Sequence, residues 1–431
     1  MHRGSKIKTV GESAFCECTG LKSITIPKSV TSIGGGAFRD CSSLTSITIP
    51  ESVTSIGDSA FYNCTSLESI TIPKSVTSIG VSAFSHCSSL TNISIPQGVK
   101  YINKYTFYDC TNLSGITIPK SLTGIGYEAF ENCTNLTSVY ISDIAAWCNI
   151  EFNEETVYYS RPDSNPLRYG GKLYLNGKLV TDLVIPKGIT SINKYAFKGC
   201  TSITSVAFPG SVTYIGESAF FGCTNLASIT LPQKVDYIRS STFENCEKLK
   251  SIVLPYNVNE IKEKTFFGCS SLEKVYIYNE NCSISDNIGL SYNQTIYGYA
   301  GSTAQAYADE IGAEFVNIKN VHSHKFGQWK TETAPTCTKK GTAVRYCSGC
   351  NRPEYKTLTK ITHTYKTTTT KATLTKNGSI VKKCTVCGYV QSKTTIKYAK
   401  TFKLSANTFV YNNKAKTPAV TVKDSAGKVL T

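Results

Sequence analysis

Histidine is scarce in this 431-residue chain, with five occurrences, and only His86 lies inside the regular repeats described below. Its neighbours at the same slot of adjacent repeats are Asn63 and Asp109, so it reads as a surface residue in a variable loop. No glycine-rich phosphate loop, paired acidic motif or nucleophile elbow is present, and no catalytic residue is assigned. The chain also lacks an apolar run near the roughly 20 residues that cross a bilayer, and residues 1–10 lack the apolar core of a signal peptide. Acidic residues almost disappear late in the chain. Residues 321–431 hold 3 Asp+Glu against 21 Lys+Arg, a net of +18, whereas residues 1–320 hold 27 against 25, a net of −2. The basic, Thr-rich tail suits a polyanion such as nucleic acid, an anionic cell-wall polymer or acidic lipid, or serves only to keep the chain soluble.

What is abundant is repetition. Ten cysteines recur at a step of 23 residues, at 18, 41, 64, 87, 110 and 133 and again at 200, 223, 246 and 269. A period of this length marks a stacked array, in which a single unit cannot bury its apolar face alone and packs on its neighbours instead. Within the unit that ends at Cys64, Ile47 and Ile49 alternate with Ser46 and Thr48, the pattern of a short strand with one buried face. Pro50, which cannot donate to a ladder, ends that strand. Val53 and Ile56 begin a second inward stretch, Gly57 is expected to permit a tight turn, and Ala60, Phe61 and Cys64 line a short turn or a single helical coil.

Stacking at the strand spacing of about 4.8 Å places the cysteines in a buried file. Neighbouring side chains in a stack run parallel, while a disulfide needs converging Cβ vectors, so the thiols are expected to act as small apolar fillers that donate weakly to turn carbonyls.

The phrase Leu-x-x-Ile-x-Ile-Pro-x-x-Val-x-x-Ile-x-x-x-Ala-Phe-x-x-Cys resembles the 23-residue leucine-rich repeat of BspA-like bacterial surface proteins, over roughly residues 7–318. The resemblance implies a repeat solenoid of short parallel strands with turns or short helices, export to the bacterial cell surface, and adhesion or ligand binding without catalysis. It implies no cofactor for the solenoid. Ile7 to Phe15 aligns with the middle of a repeat, so the expectation is an extracellular protein whose export signal lies upstream of the residues present.

Cys133 and Cys200 are 67 residues apart, two short of three periods, so the array is expected to continue in irregular form over about 143–180. Asp143 is placed as the N-cap of a short helix, and Asn176-Gly177 as a type I′ hairpin turn. A capping box at Ser302 to Gln305, with Gly312 as stop and Glu314 to Ile318 as a last strand, predicts a C-terminal cap over about 295–318. The first domain is therefore set at 1–320.

Outward residues of the first strand form a hydroxyl-rich stripe: Thr25, Thr48, Thr71, Ser94, Thr117, Tyr140, Ala207, Thr230, Val253 and Tyr276. Tyr101, Tyr214 and Tyr237 form a second one. Hydroxyls with a few rings suit contact with a protein or a glycan, although Thr and Tyr also sit on exposed sheets for their strand propensity alone.

Two loosely similar segments fill 321–396. The first contains His324, Cys337 and Cys347-x2-Cys350, the second His363 and Cys384-x2-Cys387, with Gly341 matching Gly378 and Leu374 standing where the first has Cys337. His324, Cys337, Cys347 and Cys350 can close one zinc ribbon-like site, whereas the second segment falls one ligand short. A shared site of the two Cys-x2-Cys pairs and disulfides within them are the alternatives. Trp329, Tyr346, Tyr355, Tyr365 and Tyr389 are expected to pack small cores. Residues 397–431 alternate like strands and resemble the beginning of a bacterial immunoglobulin-like domain, with Thr408 to Tyr411 as one strand and Asn412-Asn413 as a turn.

The expected function is a surface protein whose solenoid face binds a host or bacterial surface protein or glycan, and whose tail spaces it from, or attaches it to, an anionic wall polymer. The alternative is a zinc-dependent nucleic-acid binder acting through the tail. Small His/Cys-bearing repeats resembling these follow BspA-like arrays, which favours a structural module over a nucleic-acid reader.

Overall fold

The computed structural model describes residues 7–153, 164–320, 323–348, 352–373, 375–404, 420–424 and 427–430. These fall into two compact units, the first formed by the chain up to His324 together with Gly349–Arg352 and the second by Lys325–Ser348 and the chain from Pro353 onward. Among the described residues no helix is long and apolar enough to cross a membrane.

The first unit is a solenoid in which each 23-residue coil has three hydrogen-bonded sides. Three-residue strands such as Ser46–Thr48 pair in parallel with the next coil one period on, with Thr25 opposite Thr48, Thr48 opposite Thr71 and Thr117 opposite Tyr140. Two-residue strands such as Ser55–Ile56 make the second side in the same register. On the third side the amides of Ser59, Phe61 and Asn63 each donate across 2.8 Å to the carbonyls of Val81, Ala83 and Ser85 in the following coil.

That third side is a run of turns, one of the two forms expected there, with left-handed backbone at two positions four residues apart, φ 54° at Ser59 and 56° at Asn63. Gly57 opens the run, its carbonyl accepting from the Ala60 amide at 3.3 Å. Its role is close approach, since a Cβ there would lie 2.6 Å from the backbone nitrogen of Gly35 in the preceding coil.

Two files of side chains fill the core. Phe15, Phe38, Phe61, Phe84, Phe107 and Phe130 stack with ring centroids 5.3–5.6 Å apart, and Phe197, Phe220, Phe243 and Phe266 continue at 5.4–6.2 Å. Beside them run the thiols. Cys64, Cys87 and Cys110 each donate across 3.1 Å to the carbonyl of the phenylalanine 26 residues earlier, and Cys223 and Cys246 do the same at 3.2 and 3.3 Å. Each described cysteine is a free thiol. A buried turn carbonyl has a second lone pair to satisfy, and a thiol fills the space while supplying a weak donor.

The irregular stretch keeps the stack intact. Helix α1, Ile144–Cys148, is capped by the Asp143 carboxylate accepting from the Ala146 amide, and Glu151–Phe152 then pairs in parallel with Gly124–Ile125. Trp147 is buried and donates its indole N–H to the Ala196 carbonyl at 2.8 Å, joining coils on either side of the insertion. Lys172–Leu175 pairs with Ser138–Ile141, then folds back on Lys178–Leu179 through Asn176 and Gly177, whose φ values of 49° and 79° suit a type I′ turn. At the far end, helix α2 spans Thr303–Ile311. Its cap Ser302 accepts from the Gln305 amide, the Gln305 side chain accepts from the Gly301 amide, and left-handed Gly312 closes it. Strand Glu314–Asn317 then pairs with Thr295–Gly298.

The second unit contains two similar antiparallel sheets. Lys330–Thr333, Gly341–Tyr346 and Pro353–Leu358 form one; Tyr365–Thr370, Gly378–Cys384 and Val390–Ile396 form the other. Gly341 and Gly378 are equivalent, since a Cβ at either would strike the carbonyl of Thr333 or Thr370 within 2.4 Å. Ala399–Leu404, Val420–Asp424 and Val429–Leu430 make a third small sheet. The expected strand Thr408 to Tyr411 and turn Asn412-Asn413 lie outside the described residues. The expectation of tyrosine-packed cores is corrected in part. Tyr355 and Tyr389 are 59% and 57% exposed, and Trp329 is covered by the cations of Arg345 and Lys356, 4.7 and 4.8 Å from its ring.

Candidate functional site

The parallel strands of the first side put the stripe residues on one face. Thr25, Thr48, Thr71, Ser94, Thr117, Tyr140 and Thr230 are exposed and Tyr276 is half-buried, because each follows an inward isoleucine or valine at period two. Tyr140 stacks on Tyr174 of the next coil at 4.9 Å, and Tyr276 on Tyr297 at 4.3 Å, so rings occur as pairs that the sequence pattern did not reveal.

The face is not uniform. A depression of about 510 Å³ is lined by Thr71, Ser94, Thr117 and Tyr140 with Asn92, Gln97 and Lys74 at its sides. Gly115 is part of its lining. Most other coils place Ser at that strand position, whereas a Cβ on Gly115 would lie 2.7 Å from the Asn92 side-chain oxygen and 3.4 Å from the Tyr140 ring. The missing side chain lets the ring and the amide lean over the gap. The sequence signal was the break from Ser to Asn92 and Gly115 in consecutive coils.

The second stripe is more self-satisfied. Tyr101 lies over Gly124 and accepts from the Asn153 side-chain amide, while Tyr214 and Tyr237 flank the Arg239 guanidinium at 4.4 and 5.9 Å. Cation–π contact of this kind holds the rings in place. His86 meets Asp109 at 2.9 Å and lies edge-on between Tyr62 and Tyr108.

In the second unit four candidate ligand atoms converge. The thiols of Cys337, Cys384 and Cys387 and the His363 ring all lie within 4.8 Å of one another, with Cys337 Sγ 3.7 Å from Cys384 Sγ and Cys387 Sγ 3.4 Å from His363 Nδ1. A Cys/His cluster of this kind can hold a metal ion. The turn Cys384-x2-Cys387 is shaped by Gly388, at φ 77°, whose amide donates to the Cys384 carbonyl at 3.1 Å. The Cys387 backbone N–H pulls the Cys384 thiol down to about 6, while hydrogen bonding to Cys387 pushes Cys337 up to about 11.

This grouping differs from the expected ones. Among the described residues Cys337 lies with His363, Cys384 and Cys387 of the second segment, the segment that by sequence alone is one candidate ligand short. Cys347 is buried but outside the cluster, His324 belongs to the first unit with its Nε2 3.4 Å from the Tyr299 hydroxyl, and Cys350 lies outside the described residues. His363 stands in the cluster although neither four-ligand set read from the sequence included it.

Comparison with known proteins points the same way as the coil geometry. The model of the BspA type leucine rich repeat region matches residues 8–137 and 171–294 in six copies. A leucine rich cell surface protein from Faecalibacterium prausnitzii is similar at 27% identity over 72% of this chain and 88% of that one, with a TM-score of 0.41. A leucine-rich repeat protein from Bacteroides ovatus is similar at 27% identity, over 65% and 87%, with a TM-score of 0.34. The pneumococcal vaccine antigen PcpA shares 20% identity over 72% and 84%, with a TM-score of 0.46. No curated protein matches. With more than half of its residues under that family model, and with the coil the pattern encodes, the chain belongs to the BspA type leucine-rich repeat family.

Proposed function

We propose that the protein is a non-catalytic binder at the bacterial cell surface, whose first-strand face takes a protein or a glycan and whose basic tail spaces it from an anionic wall polymer. The observation that carries this reading is the depression at Gly115, lined by the hydroxyls of Thr71, Ser94 and Thr117 and by the Tyr140 ring in one file along the sheet. Hydroxyls offer donors and acceptors without charge, and a ring offers a flat apolar surface, which together suit sugar rings or a polar peptide. The tail, at a net of +18, supplies long-range attraction to a polyanion that weakens with salt.

The test is binding of the intact chain to immobilised extracellular proteins and glycans, and separately to purified cell wall. Replacing Thr117 with Arg and Tyr140 with Ala is expected to weaken partner binding by about tenfold or more with the thermal melt unchanged. Wall association is expected to persist and to fall with salt. Partner binding unchanged by both substitutions would remove the depression from the site. A zinc- and salt-dependent shift of DNA or RNA mobility, with no wall association, would move the function to the tail as a nucleic-acid binder.

A further inference from the structure

The Cys/His cluster has the dimensions of a metal centre and not of a disulfide. A tetrahedral zinc with Zn–S bonds of about 2.3 Å and a Zn–N bond of about 2.05 Å sets S···S edges of about 3.8 Å and S···N edges of about 3.5 Å. Of the six edges of this cluster, one S···S edge is 3.7 Å, between Cys337 and Cys384, one S···N edge is 3.4 Å, between Cys387 and His363, and all lie within 4.8 Å. A disulfide needs about 2.05 Å. Three thiols with one imidazole form a soft set that suits zinc and disfavours magnesium or calcium.

The ligands come from both tail segments. Thr336 to Lys339 and Thr373 to Lys376 make the same turn, in which the threonine N–H donates to the lysine carbonyl at 2.9 Å in each case. In sequence, Cys337 follows Thr336 in the first segment and Leu374 follows Thr373 in the second. The leucine has a reason. No His or Cys follows Cys387 through residue 431, so a thiol at 374 would face no further ligand set within this sequence. In the first segment the residue 37 before Cys337 is Ala300.

We propose that Cys337, His363, Cys384 and Cys387 bind one zinc ion, and that this ion clamps the two tandem segments together by completing the second segment's histidine and Cys-x2-Cys pair with the lone cysteine of the first. Small sheets of this size cannot build much of a core, and a shared ion couples them into one strut. The inference stands apart from the binding face and does not depend on it.

The experiment uses the full chain, reduced, loaded with zinc and desalted, with bound metal counted by mass spectrometry and a parallel sample loaded with cobalt for its visible spectrum. About one tightly held zinc per chain is expected. Cys337→Ser is expected to lose it together with the cobalt–thiolate absorption, Cys347→Ser to keep both, and His363→Cys to keep the metal with an altered cobalt spectrum. Circular dichroism of the solenoid controls for folding. Retention of one zinc by Cys337→Ser together with its loss in Cys347→Ser would overturn the clamp, as would a reduced chain that takes up no metal or a native Cys384–Cys387 disulfide found by peptide mapping.

Discussion

Mild alkali attacks this solenoid at its thiols. Burial pushes Cys87, Cys148, Cys269 and Cys282 up to about 12, whereas an unfolded thiol titrates near about 8.5. The folded value is raised, so the stability these groups contribute is whole below about pH 8.5 and is lost as the pH climbs from there toward the folded value. Each thiol then costs about 1.4 kcal/mol for every pH unit above its unfolded value, and four together cost about 5 to 6 kcal/mol by about pH 9.5. That is comparable with the whole stability of a typical domain, about 5 to 15 kcal/mol. Tyr and Lys titrate at about 10 and above, so the window between about pH 8.5 and 9.5 isolates the cysteines. The assay is urea unfolding followed by circular dichroism across that window, with the slope of stability against pH read as a proton count. Cys87→Ala should lower the slope by about one proton, or about 1.4 kcal/mol per pH unit. A flat profile in the intact chain would mean that the thiols ionise in place or are bridged, and would refute the buried file.

The stacked rings make a graded set of expectations. Phe84 is fully buried between Phe61 and Phe107, so Phe84→Ala should cost about 3 to 5 kcal/mol, while Phe15→Ala, half-buried with one ring neighbour, should cost about half as much in the same unfolding assay. Hydrogen exchange should then show lost protection at the Phe61 and Phe84 amides and unchanged protection at Phe243, since each coil contacts only its neighbours. Gly80→Ala brings a Cβ to 2.4 Å from the Asp58 backbone nitrogen and should cost about 2 kcal/mol or more, whereas Gly301→Ala, left-handed but in open space, should cost about 1 kcal/mol. Equal costs at the two glycines would argue against tight stacking of coils.

Most of the solenoid was legible because period 23 writes the same physics many times over. A single Ile-x-Ile-Pro phrase is ambiguous, but its recurrence leaves one arrangement in which every isoleucine is buried. The caps were legible for a local reason, since Asp143, Ser302 and Gly312 act within a few residues of themselves. Gly57 reads from sequence as a turn residue, but its close approach to Gly35 is visible only with the neighbouring coil in place, and so are the left-handed positions at Ser59 and Asn63, held by hydrogen bonds from coil to coil. The paired tyrosines were hidden for a related reason. Tyr140 was visible in the stripe, but Tyr174 belongs to the irregular insertion, where the period that aligns one coil with the next is interrupted.

The tail marks where pattern reading ends. Ligand counting within one segment treats a segment as closed, and on that assumption the second is a ligand short. The turn at Thr336 to Lys339 instead carries Cys337 into the second segment's cluster, across 47 residues of chain from Cys384. Nothing in residue spacing distinguishes a donor to its own segment from a donor to the next. What does distinguish them is the asymmetry at the ends of the tandem, where the last segment carries Leu374 at the donor position and the first has no cysteine before it at Ala300. Leu374 fits a donor position that has no recipient, and a closed-segment arrangement would leave it without a reason.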